Sequence, residues 1–200
     1  MFRSGAVVVA AVAIGLGAAG CGGSARSSGG SASRSTSAPI ATHATRQPAT
    51  ATAENIASAP SEAAMVCSTE VRANIAKLLA LPKPPAGRAT WANHLYTCRY
   101  DVPAGRLLLT VKESANDRAA TSYLRGRQAS YKGSRRITGL ASLGLSAFEN
   151  PTGTVAFVKD NFTLVVDASQ LSGRLGHAGT TRSGFTYALA TDVLACWSGG

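Results

Sequence analysis

Chemistry in a protein usually starts from histidine, cysteine, serine and carboxylates, and this chain holds few of them in useful patterns. It has only three histidines in 200 residues, His43, His94 and His177, none within twenty residues of another. A zinc site needs three or four His, Cys or carboxylate ligands converging on one point, and no such spacing is present, so neither a metal nor a cofactor is implied. Ser142 sits between Gly139 and Gly144, but the glycines are set too far apart for a G-x-S-x-G nucleophile elbow. Glycine-rich phosphate loops and dinucleotide fingerprints are absent from the sequence. Acidic pairs such as Asp160 and Asp167 read as solvated punctuation of strand ends. No catalytic residue is assigned, and the expectation is a non-catalytic protein.

Cysteine offers more. Leaving Cys21 aside, Cys67, Cys98 and Cys196 remain, an odd number for an oxidising compartment. Cys67 opens a helical segment and Cys98 lies mid-strand in the next element. A bridge between them closes a loop of 31 residues. Chain-entropy arithmetic makes such a loop worth roughly 3.5–4 kcal/mol. Cys67–Cys98 is the favoured pairing and Cys98–Cys196 its rival. The remaining cysteine has no neighbouring histidine to activate it, so a buried thiol is expected.

Charge supplies the other candidate surface. The chain carries 20 Lys and Arg against 10 Asp and Glu. Arg118, Arg125, Arg127, Lys132, Arg135 and Arg136 occur with no carboxylate among them, interleaved with Tyr123 and Tyr131. In a cytosolic protein this would suggest nucleic acid. In an exported one the electrostatic partners are anionic lipid headgroups or acidic wall polymers, at about 1 kcal/mol per basic residue near a charged membrane. An ordinary solvated helix face is the competing reading.

The elements that must position these groups lie between residues 61 and 200, which contain both tryptophans and all five tyrosines. Ser68 can cap a helix striped by Val71, Ile75, Leu78 and Leu79 and closed by Pro82. Pro82–Ala89 reads as a proline-rich loop. Leu95–Asp101 and Arg106–Glu113 are extended runs joined in a hairpin. Ser114 or Asn116 can cap a second helix to about Ser130. Leu145–Glu149 is a short strand, and Thr154–Lys159 pairs with Phe162–Asp167 around Asp160-Asn161, residues that tolerate a tight turn. A last helix spans about Gly184–Trp197. The order α-β-β-α-β-β-β-α predicts an α+β fold, with an antiparallel sheet of about five strands and about three helices on one face.

The N-terminal third is of another kind. From Gly22 to Pro60, 30 of 39 residues are Gly, Ser, Ala, Thr or Pro, with no aromatic. Such a segment buries too little apolar surface to offset its ordering entropy. It is expected to be a tether with an average reach of ~35 Å. Before it, Arg3 precedes an uncharged run from Ala6 to Ala19 that has the length of a secretory h-region and is short for a bilayer span.

That run ends in Ala18-Ala19-Gly20-Cys21, which resembles the lipobox of bacterial lipoproteins, with Ala18 where Leu is usual. The resemblance implies removal of residues 1–20, acylation of Cys21 and anchoring to the cell membrane on its extracytoplasmic face. The layout is then a signal peptide (1–20), a lipid-anchored disordered tether (21–60) and an extracytoplasmic domain (61–200). The cysteine opening a helix, the Cys98-Arg99-Tyr100 strand and the Thr138–Leu145 stretch are similar to small lipoproteins of high-GC Gram-positive bacteria. More narrowly, they are similar to an uncharacterised group that resembles the extracellular sensor domain of receptor kinases. That similarity implies an extracytoplasmic α/β domain without known catalysis, and it carries no functional residue across. The leading expectation is a binding or sensor-like module that meets a small molecule, wall component or protein partner. The alternatives are an envelope accessory or structural protein contacting other surface proteins, and an enzyme in which His94 or His177 meets a carboxylate in a cleft.

Overall fold

The computed structural model describes residues 56–142 and 144–198. Packing against the core begins at Ile56 and Ala59. A short helix α1 (Ser61–Ala64) and a 3-10 turn (Met65–Cys67) lead into helix α2 (Thr69–Leu79). Ser68 caps α2 as its sequence suggests, its side-chain oxygen accepting the Val71 N–H at 3.2 Å. The helix stops at Ala80, whose backbone turns left-handed at φ 55°, and Leu81 N–H closes back on Ala76 O at 2.8 Å. Its buried residues Val71, Ile75, Ala76 and Leu79 recur at helical spacing, so one stripe faces the core.

Three strands follow as a meander, β1 (Gly87–Ala92), β2 (Leu95–Val102) and β3 (Gly105–Glu113). Helix α3 (Asp117–Ser130) comes next, capped by Asn116, whose side-chain oxygen accepts the Ala119 N–H at 3.0 Å. Then come β4 (Arg135–Arg136), the short helix α4 (Thr138–Ser142), β5 (Ala147–Asn150), β6 (Thr154–Lys159) and β7 (Phe162–Leu171). The two-residue strands β8 (Arg174–Leu175) and β9 (Thr180–Thr181) form a separate ribbon, and helix α5 (Arg182–Ser198) completes the described chain. The main sheet has seven strands in the order β1-β2-β3-β7-β6-β5-β4, with every pairing antiparallel.

The α+β class is as expected, but two features of the prediction are corrected. The sheet has seven strands rather than about five. β1 lies inside and beyond the segment read as a loop, because it is an edge strand with Trp91 as its one buried residue and so shows no alternation. β4 is two exposed arginines, which carry no strand signal. Helices also lie on both faces. Side chains alternate across the sheet, and Tyr96, Cys98, Tyr100, Leu107, Leu109, Val111, Phe157, Leu164 and Val166 pack with α2 and α5 in the main core. On the opposite face Ala120 and Leu124 of α3 cover Phe148, Ala156, Val158 and Val165.

Cys67 and Cys98 are bridged, with Cα atoms 5.6 Å apart. The bridge ties the turn before α2 to the sheet one strand in from its edge. Beside it the Tyr100 hydroxyl donates to Val66 O at 2.7 Å, and burial pushes the Tyr100 phenol above its ordinary range. β1 crosses directly over the bridge at Gly87. A Cβ there would sit 2.8 Å from Cys98 Sγ and 3.0 Å from both Cys67 Sγ and a Tyr100 ring carbon. Cys196, half-buried on α5, lies outside the bridge.

Candidate functional site

α3 has one narrow apolar stripe, so it covers only part of the sheet face it lies on. Where its first turns stand away from the end of β3, a cleft of about 580 Å³ opens, lined by His94, Lys112, Glu113, Ser114, Ala115, Ala119, Tyr123 and Asn161. Each wall comes from a different element. His94 belongs to the two-residue turn between β1 and β2, where Asn93 and His94 both have positive φ, 53° and 59°. Such a turn matches the twist of its strands, and Asn and His tolerate the left-handed region better than most residues. Lys112 and Glu113 end β3. Asn161 belongs to the β6–β7 turn, which is tied to β3 by Ser114 N–H donating to Asn161 O at 2.9 Å and Asn161 Nδ2 donating to Ser114 O at 3.1 Å.

Within the cleft, His94 Nδ1 lies 2.9 Å from Glu113 Oε2. An ionised carboxylate only accepts, so the pair places a proton on Nδ1 and leaves Nε2 for another partner. The imidazole is 70% exposed and its carboxylate 28%. Trp91 stands edge-on to the His94 ring at 6.0 Å, which limits its swing. Lys112 Nζ donates to Asn93 O at 2.7 Å. Chemically this is a polar cleft with an imidazole held at its mouth, able to exchange hydrogen bonds with a ligand. Nδ1 is engaged by Glu113, and Ser114 and Tyr123 line the same cleft.

The six basic residues singled out from sequence have different surroundings. Arg127 turns back over the Tyr131 ring, with its carbon 5.2 Å from the ring centre and its amino group donating to the Tyr131 hydroxyl at 2.7 Å. Burial raises the Tyr131 phenol and the Arg127 charge partly opposes that rise. Arg135 pairs with Glu149 at 2.9 Å across β4 and β5. Arg125 and Arg136 line a separate groove of about 280 Å³ with Thr121, Leu124 and Gln128. Arg118 and Lys132 are exposed. His177 is exposed in the β8–β9 turn, and Ser142 ends helix α4. Asp167 lies within β7 rather than at a turn. Cys21, His43, residues 1–20 and most of the tether lie outside the described residues.

Sequence reasoning singled out His94 as a histidine that could meet a carboxylate but not its partner Glu113, since 19 residues separate the two and only the β1–β2 turn and the full length of β2 bring them together. The signal that could have found it was Asn93-His94, a two-residue polar break between extended runs. No group of three or more metal-ligating side chains occurs among the described residues, and no described helix is long and apolar enough to cross a membrane. Comparisons with family models, curated proteins and solved structures gave no match.

Proposed function

We propose that the chain is a membrane-anchored lipoprotein, held on the extracytoplasmic face by acylated Cys21, whose domain is a non-catalytic binding or sensor-like module. The observation that carries this reading is the cleft between β3 and α3. It converges one imidazole, one carboxylate, one ammonium, one phenol and one amide on a space of about 580 Å³. These groups are mounted on two tight turns, the end of β3 and a helix, so they are pre-positioned for a small polar ligand. The disulfide agrees with an exported domain. The anchor rests on the signal-like N-terminus and the residues around Cys21.

Native mass spectrometry of the protein taken from its own envelope tests the module. A co-purifying small molecule that is lost in Tyr123→Ala supports it. A ligand-free protein that instead travels with another envelope protein favours an accessory, structural role. Cys21→Ser tests the anchor separately, with loss of fatty-acid labelling and release from the membrane as the expected outcome. His94 and Glu113 favour a second reading, acid–base catalysis. Turnover of an ester or phosphoester that disappears in His94→Gln would establish it.

A further inference from the structure

The half of the sheet that α3 leaves uncovered carries an unusual charge arrangement. Register sets Arg88 of β1 directly opposite Arg99 of β2, and Arg106 of β3 directly opposite Asp101 of β2. Positions 88, 99, 101 and 106 share one face by strand alternation. Like charges directly opposite each other across a strand pair destabilise a sheet, so Arg88 facing Arg99 calls for compensation. Asp101 supplies part of it, lying 4.0 Å from Arg88, 3.2 Å from Arg99 and 3.6 Å from Arg106. Among the described residues it is the one carboxylate within ion-pair distance of any of them. Three guanidiniums therefore share one negative charge.

The Arg99 guanidinium reaches Asp101 through Nη2, while its Nε, like that of Arg127, is shut off from solvent and has no hydrogen-bond partner in the described protein. Beside it is a hollow of about 160 Å³ lined by Arg99, Arg106, Leu108, Asp167, Ser169 and Gln170. Asp167 is the one further carboxylate there, and its Oδ1 already accepts the Ser169 N–H at 2.8 Å.

We infer that Arg88, Arg99 and Arg106 form an anion-binding site, distinct from the cleft, for a soluble phosphate-bearing polyanion. Guanidinium forks match tetrahedral oxyanions with paired N–H donors, and three guanidiniums outnumber Asp101 and the Asp167 carboxylate beside them, so a net positive charge is left for an anion. A bilayer surface is the poorer fit. Insertion would need large apolar side chains standing proud beside the arginines, and the one large hydrophobic exposed among the described residues is Tyr187, on α5 and hence on the other face. The inference does not rest on the function proposed for the cleft.

The purified full-length chain, titrated with short-chain polyphosphate by calorimetry at two salt concentrations, tests it. The expected result is binding that weakens with salt, at least ten-fold weaker in the double variant Arg88→Gln/Arg106→Gln. Both side chains are about half exposed or more, 73% and 49%, so the fold should tolerate the change. The control Arg118→Gln/Arg125→Gln removes the same charge elsewhere and should change affinity less than two-fold. Asp101→Asn removes the competing carboxylate and should tighten binding. Equal losses in the two double variants, weaker binding in a folded Asp101→Asn, or no binding at low salt would each overturn the site. So would a preference for phosphatidylglycerol vesicles over polyphosphate.

Discussion

The two faces of the sheet are built to different standards. One is sealed along its length by α2, α5 and the N-terminal turns, with a disulfide and a buried tyrosine hydroxyl fastening the β1–β3 half. Among the described residues, the other is covered only over β5, β6 and β7, where α3 presents Ala120 and Leu124. The remainder displays Thr90, Thr97 and Thr110 in one cross-strand row, Arg88 and Arg99 in the next, and Asp101 opposite Arg106 in the one beyond. The difference follows from side-chain size and stripe width. α5 is a 17-residue helix burying Phe185, Leu189, Ala190 and Val193, whereas the 14 residues of α3 bury two small-to-medium ones. A helix with so narrow an apolar stripe cannot blanket seven strands, and the polar groups left outside its footprint are those free to meet other molecules.

Breaking the sealed face should cost most. Replacing Cys67 and Cys98 together by alanine should lower unfolding stability by about 3.5–4 kcal/mol on chain-entropy grounds, read as a lower denaturant midpoint. A loss below about 1 kcal/mol would mean that hydrophobic packing alone seals that face. On the partly covered face Leu124→Ala should cost about 2–3 kcal/mol, the low end for a buried leucine because its cluster is small and near solvent. Hydrogen exchange should then quicken in α3 before the β1–β3 meander changes. Simultaneous loosening of both would show that the faces are not separable units.

The smallest effect sharpens the comparison through pH. Burial against the sealed side raises the Asp192 carboxyl above its ordinary value, partly offset by the Lys77 charge. The folded state therefore holds that proton more tightly than the unfolded one. Stability should fall as pH rises from the ordinary aspartate range through the raised value, and Asp192→Asn should remove that fall. Glu70 has the opposite sign: its own backbone N–H and the Ser68 hydroxyl lower its pKa. Its contribution is present at neutral pH and is lost on acidification. Denaturant midpoints of Asp192→Asn and Glu70→Gln between pH 3 and 7 would check the signs.

Much of the fold was legible because local chemistry announced it. Ser68 and Asn116 cap helices through their side-chain oxygens, Asp160 takes the left-handed turn its type allows, and Cys67 meets Cys98. What stayed hidden was made by pairing rather than by pattern. β1 has no periodicity of its own and exists because β2 gives it a partner over six residues. The cluster around Asp101 was invisible for the same reason, since Arg88, Arg99 and Arg106 become neighbours only in register. Charge counts along the chain also left out the partners of two basic residues, with Arg127 folding onto Tyr131 and Arg135 onto Glu149.

The indole of Trp197 donates to Glu62 O at 3.0 Å, and its ring meets Phe157 and Phe162. The two ends of the described domain are thus clasped at one place, and this has a mechanical meaning. A pull on the segment entering at Ile56 would first strip that clasp and peel residues 56–66. It would then stop at Cys67, which is covalently bound to a strand paired on both sides. Load arriving from the N-terminal side is handed through the disulfide to β2, in the middle of the β1–β3 meander.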